Sequence, residues 1–303
     1  MTWLLFAFTG PVLWAISTHL DKYLVERYFK NSDVAALLVF TALIGLATLP
    51  VIWAFRPDVL TMAPADVFLI ALSGVLYMGA MYFYLGALQN EEASVVAPFW
   101  QASPLFGYVL AYLFLGETLT VRQMLGGLMI VAGAALISIR PGARAGQFKA
   151  RLVVRMLACA LALAFATLIF KAFAIEDAFW PTTFWTFAGE AAFGAALLAI
   201  PGFRRAFMAV LKSNTQALLA INASNELINL GGGLGSRYAL TLAPMSLVQA
   251  VNSTTTLFVF LIGIALTLIA PSLGREDLSA GNLAQKAVST ALVVAGLIAM
   301  TVG

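Results

Sequence analysis

A chain of 303 residues in which 62% are apolar and only 10% carry charge has too little polar surface to coat a water-soluble fold of its size. The net charge of +3 comes from 17 Lys and Arg residues scattered through short connectors, where they act as topology signals, so a nucleic-acid partner is not expected. The single cysteine, Cys159, excludes an intramolecular disulfide and is expected to be a small buried apolar residue.

A helix that crosses the hydrocarbon needs roughly 20 mostly apolar residues. Apolar windows set off by charge, Pro and Gly predict spans at 3–20, 34–55, 67–88, 93–115 and 121–139. The first is too long for a signal-peptide core and has no basic region before it, so it is expected to be retained. A basic, Gly-containing connector at 140–151 follows. Further spans are predicted at 152–173, 180–200, 217–242, 246–270 and 284–302. The expectation is an all-α membrane protein of about ten transmembrane helices in two five-helix halves, 1–139 and 152–303. Three matches in the same order support a duplication: WAISTHLDK (14–22) with LAFATLIFK (163–171), 84–106 with 238–258, and MIVAGAALI (129–137) with LVVAGLIAM (292–300). Because five is odd, the second copy enters from the opposite side. The halves are then inverted repeats, and rocking between them alternates access to a central site.

With one His and no HExxH, CxxC or GxSxG pattern, the chain carries no common catalytic or metal signature. Neither enzyme chemistry nor a cofactor or metal is expected. Polar side chains are costly in hydrocarbon unless they face protein or water, so intramembrane polar residues are the local clues to function. Asn222, Asn225, Glu226 and Asn229 form one helical stripe that either lines a polar cavity or bonds to neighbouring helices. Gly231, Gly232, Gly233 and Gly235 follow, permitting close helix approach or local unwinding. Glu190 and Glu226 are proton-coupling candidates, or neutralise a cationic substrate group; the alternative is a carboxylate bonded to a neighbouring helix. Lys22 and Lys171 occupy matching places. Lys22, among charged neighbours, reads as an interfacial lysine, whereas the isolated Lys171 is a candidate for an anionic group. His19 lies one turn before Lys22, as a ligand contact or a plain hydrogen-bonding residue. Trp100 and Gln101 correspond to Gln249 and Asn252 across the halves, which points to a midplane site. Trp14, Tyr82 and Trp185 are candidates for an aromatic wall, or for packing.

The stretch YLGALQNEEASVVAPFWQASPLFGYVLAYLFLGETLTVRQMLGGLMIVAGAALI (84–137) resembles the repeat of the drug/metabolite transporter superfamily, EamA type. The residues that carry the likeness are Ala87, Leu88, Ala93, Pro104, Leu115-Gly116-Glu117, Gln123, Gly127 and Gly133. The resemblance implies a ten-helix carrier for a small organic metabolite, for example an amino acid, with its cavity between the halves. Membrane lipids surround it, and a bacterial inner membrane is the expected location. Flipping of a lipid-linked head group is the alternative. In the second half the Leu-Gly-Glu turn gives way to a longer polar segment at 270–286, so the closing elements are expected to differ. Glu117 itself reads as structural: Thr120 and Gln123 have capping-box spacing, and Glu117 precedes the positive end of the fifth helix. Lys and Arg concentrate in the loops after odd-numbered spans, which predicts termini outside, whereas similar carriers keep them in the cytoplasm.

Overall fold

The computed structural model describes residues 2–27, 35–90, 102–138, 150–174, 178–213, 215–269 and 279–301. Within them there is no strand, and the helices are α1 (Thr2–Arg27), α2 (Ala35–Phe55), α3 (Pro64–Asn90), α4 (Ala102–Leu115), α5 (Val121–Ser138) and α6 (Ala150–Phe173), with a short 3-10 turn (Pro57–Thr61) between α2 and α3. Then come α7 (Phe179–Ala199), α8 (Pro201–Ser213), α9 (Thr215–Leu242), α10 (Met245–Asn252), α11 (Thr255–Ile269) and α12 (Ala280–Thr301).

Five segments are long and apolar enough to cross a membrane: Thr2–Asp21, Ala35–Phe55, Pro64–Ala87, Leu152–Phe173 and Met245–Ile269. Three shorter helices are apolar too, at Ala102–Leu115, Val121–Leu136 and Leu283–Ala299. The helix α9 is long enough, with 28 residues, but its polar stripe keeps it outside the apolar set. The chain turns by 98° between α7 and α8. Pro201 has no N–H to continue α7, and Ile200 before it is extended, as a residue preceding proline prefers. The helix α8 is strongly two-sided: Phe207 and Val210 are buried against α2, while Arg204, Arg205 and Lys212 are exposed. Such a helix lies in a membrane interface rather than across it.

The segment expected as one span at 246–270 is one membrane-capable segment, Met245–Ile269, with a turn at Ser253 and Thr254 between α10 and α11. Ser253 Oγ bonds back to the Gln249 carbonyl at 3.2 Å and Thr255 Oγ1 to the Asn252 carbonyl at 2.6 Å. Hydroxyls that compete for helix carbonyls bend the helix at that point.

Helix neighbours follow an exchange rule. The contact of α1 with α9 is mirrored by that of α6 with α3, α4 with α6 by α1 with α11, and α3 with α7 by α2 with α9. The contacts α2 with α7, α5 with α12 and α4 with α10 map onto themselves under the same exchange. Small residues allow the closest approaches. A methyl group on Gly189 of α7 would run into the Ala71 carbonyl of α3, and one on Gly74 of α3 into the Thr186 carbonyl of α7.

Candidate functional site

The helix α9 runs antiparallel to α1, with Gly235 against Thr9 and Phe6, Gly232 against Leu13 and Trp14, and Asn225 opposite Asp21. It is helical throughout 215–242, so the glycines serve close approach, and no unwinding occurs there. The polar stripe of α9 therefore faces other helices. Asn222, Asn225 and Glu226 are all buried.

A polar track starts at Asp21 of α1, whose Oδ1 accepts from Asn225 Nδ2 at 2.7 Å. Next along α9, Glu226 Oε1 accepts from Thr41 Oγ1 of α2 at 2.9 Å. One turn further along α2, a methyl group on Gly45 would lie 3.8 Å from Glu190 Oε2 of α7. Glu190 in turn accepts from Arg237 Nη2 of α9 at 2.7 Å. The Arg237 guanidinium is held over the rings of Phe187 and Phe170, at 4.7 and 5.6 Å from their centroids, where the negative faces of the rings favour a cation. Tyr77 of α3 lies within electrostatic reach of Asp21, Glu190, Glu226 and Arg237 together. Several atoms of the track lack a hydrogen-bond partner although buried: Asn222 Oδ1, Asn225 Oδ1, Ser17 Oγ and Arg237 Nη1. Buried polar atoms without partners are rare, and these lie on two facing helices, α1 and α9, where a polar ligand or water would satisfy them.

The other expected site residues fall in different places. Gln249 is buried against Gly107, with Nε2 unpartnered, and Asn252 Nδ2 donates to Ser236 Oγ of α9 at 2.9 Å, leaving its own Oδ1 unpartnered. Asn252 and Trp14 meet at Gly10, next to the α1 and α9 contact. Asn229 is half-buried on the α9 stripe. His19 Nε2 lies 3.0 Å from the Val259 carbonyl and ties α1 to α11. Trp185 donates Nε1–H to the Val59 carbonyl at 2.8 Å, and Tyr82 packs edge-on against Phe203 of α8, so neither stands on the track. Trp100 and Gln101 lie outside the described residues.

Lys171 and Glu117 work as a pair of end caps. Lys171 Nζ donates to the carbonyls of Leu240 and Ala243, at the negative end of α9. Glu117 accepts from the Met245 amide at 2.8 Å, the Ser246 amide at 3.3 Å and the Ser246 hydroxyl at 3.1 Å, at the positive end of α10. The Thr120 and Gln123 capping box forms as expected, with the Gln123 amide donating to Thr120 Oγ1 at 3.2 Å and the Thr120 amide to Gln123 Oε1 at 3.1 Å. Glu117, however, serves α10 in the other half rather than α5. Gly116, at φ 64°, makes the turn that points it there.

Comparison with known proteins gives the same picture. The model of the EamA-like transporter family, of the drug/metabolite transporter superfamily, matches residues 1–139. The first 139 residues of this chain are thus similar to that family. Over 69 residues the chain is 41% identical to an uncharacterized protein of Methanocaldococcus jannaschii, covering 22% of this chain and 50% of that one. Over 132 residues it is 26% identical to an uncharacterized transporter of Clostridium kluyveri, covering 43% of this chain and 42% of that one. The chain thus spans about half the length of the curated relatives it matches. A crystal structure of a protein 19% identical superimposes with a TM-score of 0.71, covering 100% of this chain and 96% of that one, which establishes the fold. Its long apolar helices and the family match mark the chain as an integral membrane protein.

Arg237, Asp21, Tyr77 and Thr41 were not among the expected site residues. Arg237 falls inside the span predicted at 217–242, although the basic residues as a group read as connector signals. Yet it follows Glu226 by 11 positions, about three helical turns, and so extends the same stripe. Asp21 had a weaker signal, one turn after Ser17 on the face of α1 that also holds Trp14.

Proposed function

We propose that this chain is a secondary transporter that moves a small organic metabolite by alternating access through the track between its two halves, 1–139 and 152–303. The observation that carries the reading is the row of polar side chains between helices, bonded in the pairs Asp21 with Asn225, Glu226 with Thr41, and Glu190 with Arg237. A packed structural protein gains nothing from partnerless polar atoms along such a line, whereas a solute path requires them. The exchange rule among helix contacts supports two equivalent halves. Ten crossings fit the five long apolar segments, the bent α7 and α8 pair, the three shorter apolar helices and α9. Glu190 and Glu226 carry protons in this reading, and the arrangement favours a transporter over an enzyme.

The test is counterflow in proteoliposomes loaded with a panel of amino acids, amines and organic acids. A carrier accelerates exchange of at least one labelled solute against its unlabelled form. Exchange no faster than in empty liposomes for every solute would sink the reading. Replacing Glu190 and Glu226 together by Gln is expected to abolish pH-driven flux.

One feature favours head-group flipping as a second reading. An apolar pocket of about 380 Å³, lined by Phe40, Leu43, Phe207 and Leu219, ends on Asn222 of the stripe. A labelled lipid-linked sugar made accessible to an impermeant oxidant, with no solute counterflow, would select it.

A further inference from the structure

One end of the track is electrically unbalanced. Glu190 has Arg237, but Asp21 and Glu226 lie within electrostatic reach of one another and, among the described residues, neither has an ion-pair partner. Each carboxylate commits one oxygen to a neutral donor, Asn225 or Thr41. Around them stand buried oxygens without any donor. Ser17, 2% exposed and one turn before Asp21 on α1, turns its hydroxyl toward that carboxylate, and its Oγ accepts from no donor. Asn225, fully buried, gives its Nδ2 to Asp21 and leaves Oδ1 unpartnered. Asn222 Oδ1 is unpartnered one turn away. Two carboxylates and three orphaned oxygens on α1 and α9 form a set of acceptors with no positive group to accept from.

We propose that this end of the track binds one singly charged cation, an alkali-metal ion or the primary ammonium group of a solute, through Asp21, Glu226, Ser17 and Asn225. Oxygen is the donor that hard cations and ammonium groups take, and a cation placed here both balances the carboxylates and satisfies the orphaned atoms. A divalent ion demands more: among the described residues no three of His, Cys, Asp and Glu are grouped for a metal. The cation's role in coupling or substrate recognition rests on the transporter reading; its binding does not.

The test measures thermal midpoints of the full-length protein in detergent micelles at neutral pH. Sodium, potassium, methylammonium and N-methylglucamine chlorides are compared at equal ionic strength. A bound cation at about ten times its Kd raises the midpoint by roughly 2–4 °C over N-methylglucamine, which is too large for the site. A rise with sodium or potassium assigns the alkali ion; a rise with methylammonium alone assigns the amine. The shift is expected to vanish in Asp21→Asn and in the mild variant Ser17→Ala, and to persist in Arg56→Ala at the surface. Equal midpoints in all four salts would overturn the proposal, leaving protons to neutralise the pair. So would a shift that survives both site variants. Because no flux is read, a retained shift beside failed counterflow discards the transport reading alone.

Discussion

The ion pair between Glu190 and Arg237 lends itself to a double-mutant cycle. The two groups meet at 2.7 Å with side chains only 5% and 17% exposed. At an effective dielectric of about 20, unit charges some 4 Å apart attract by about 4 kcal/mol. Removing one partner forfeits that attraction and leaves a buried charge unpaired, a loss of about 3–5 kcal/mol. Glu190→Leu and Arg237→Met are therefore each expected to lower the thermal midpoint by on the order of 10 °C. The double variant leaves no unpaired charge, so most of the loss returns. It keeps a deficit of about 1 kcal/mol, because the Arg237 guanidinium no longer lies over Phe187 and Phe170. Midpoints of the four proteins in detergent, followed by intrinsic fluorescence, give the coupling. Single-variant losses that simply add in the double variant would refute the pairing. A recovered double variant that has also lost counterflow would separate the pair's role in transport from its role in folding.

Other consequences follow from the same geometry. Glu117→Gln weakens the cap on α10 by roughly 1–2 kcal/mol, a few degrees in the midpoint, and Glu117→Ala costs more because both amides and the Ser246 hydroxyl lose their acceptor. Gly189→Ala drives a methyl group into the Ala71 backbone and is expected to cost about 3 kcal/mol or more, seen as aggregation in size-exclusion chromatography; Gly202→Ala, with open space around it, behaves as wild type. The exposed Arg56 guanidinium holds the Asp58 carboxylate below the usual range. Stability from that pair is present above the unfolded value near 3.9 and fades as pH falls through the lower folded value; because both groups are exposed it is small, so Arg56→Ala moves the midpoint at neutral pH little.

What the sequence disclosed, and what it withheld, follows the physics of each feature. Helices such as α2 and α6 are written as long apolar runs, because a span must hide its backbone from lipid. The stripe on α9 was legible as a period of three and four. Its partners were not, since Thr41, Asp21 and Glu190 come from other helices 47 to 204 positions away. Arg237 lies inside the predicted span at 217–242, and what the sequence does not disclose is that it meets Glu190 of α7. Lys171 looked like an open cation for a ligand, but α9 ends beside it, and helix ends separated in sequence do not announce which side chain will cap them. The same holds for Glu117, whose target lies in the opposite half.

The distribution of bonds around α9 says where relative movement costs least. Against α1 the helix is fitted closely at Gly231, Gly232 and Gly235, so sliding these two past each other would open voids along their whole contact. Its last carbonyls and the first amides of α10 are held by Lys171 and Glu117, which fixes the joint between them. Toward α2 and α7, α9 packs Leu230 and Leu234 into the cluster of Ile52, Phe184 and Phe187 and adds two polar links, Thr41 to Glu226 and Arg237 to Glu190. Polar links can be exchanged for water or for a solute at nearly constant hydrogen-bond number, whereas a fitted apolar surface cannot be opened without losing its packing. A solute that supplies its own donors and acceptors along the track therefore competes directly with the bonds that hold α9 to α2 and α7. A variant that replaces both polar links by apolar contacts is therefore expected to keep most of its stability while losing exchange.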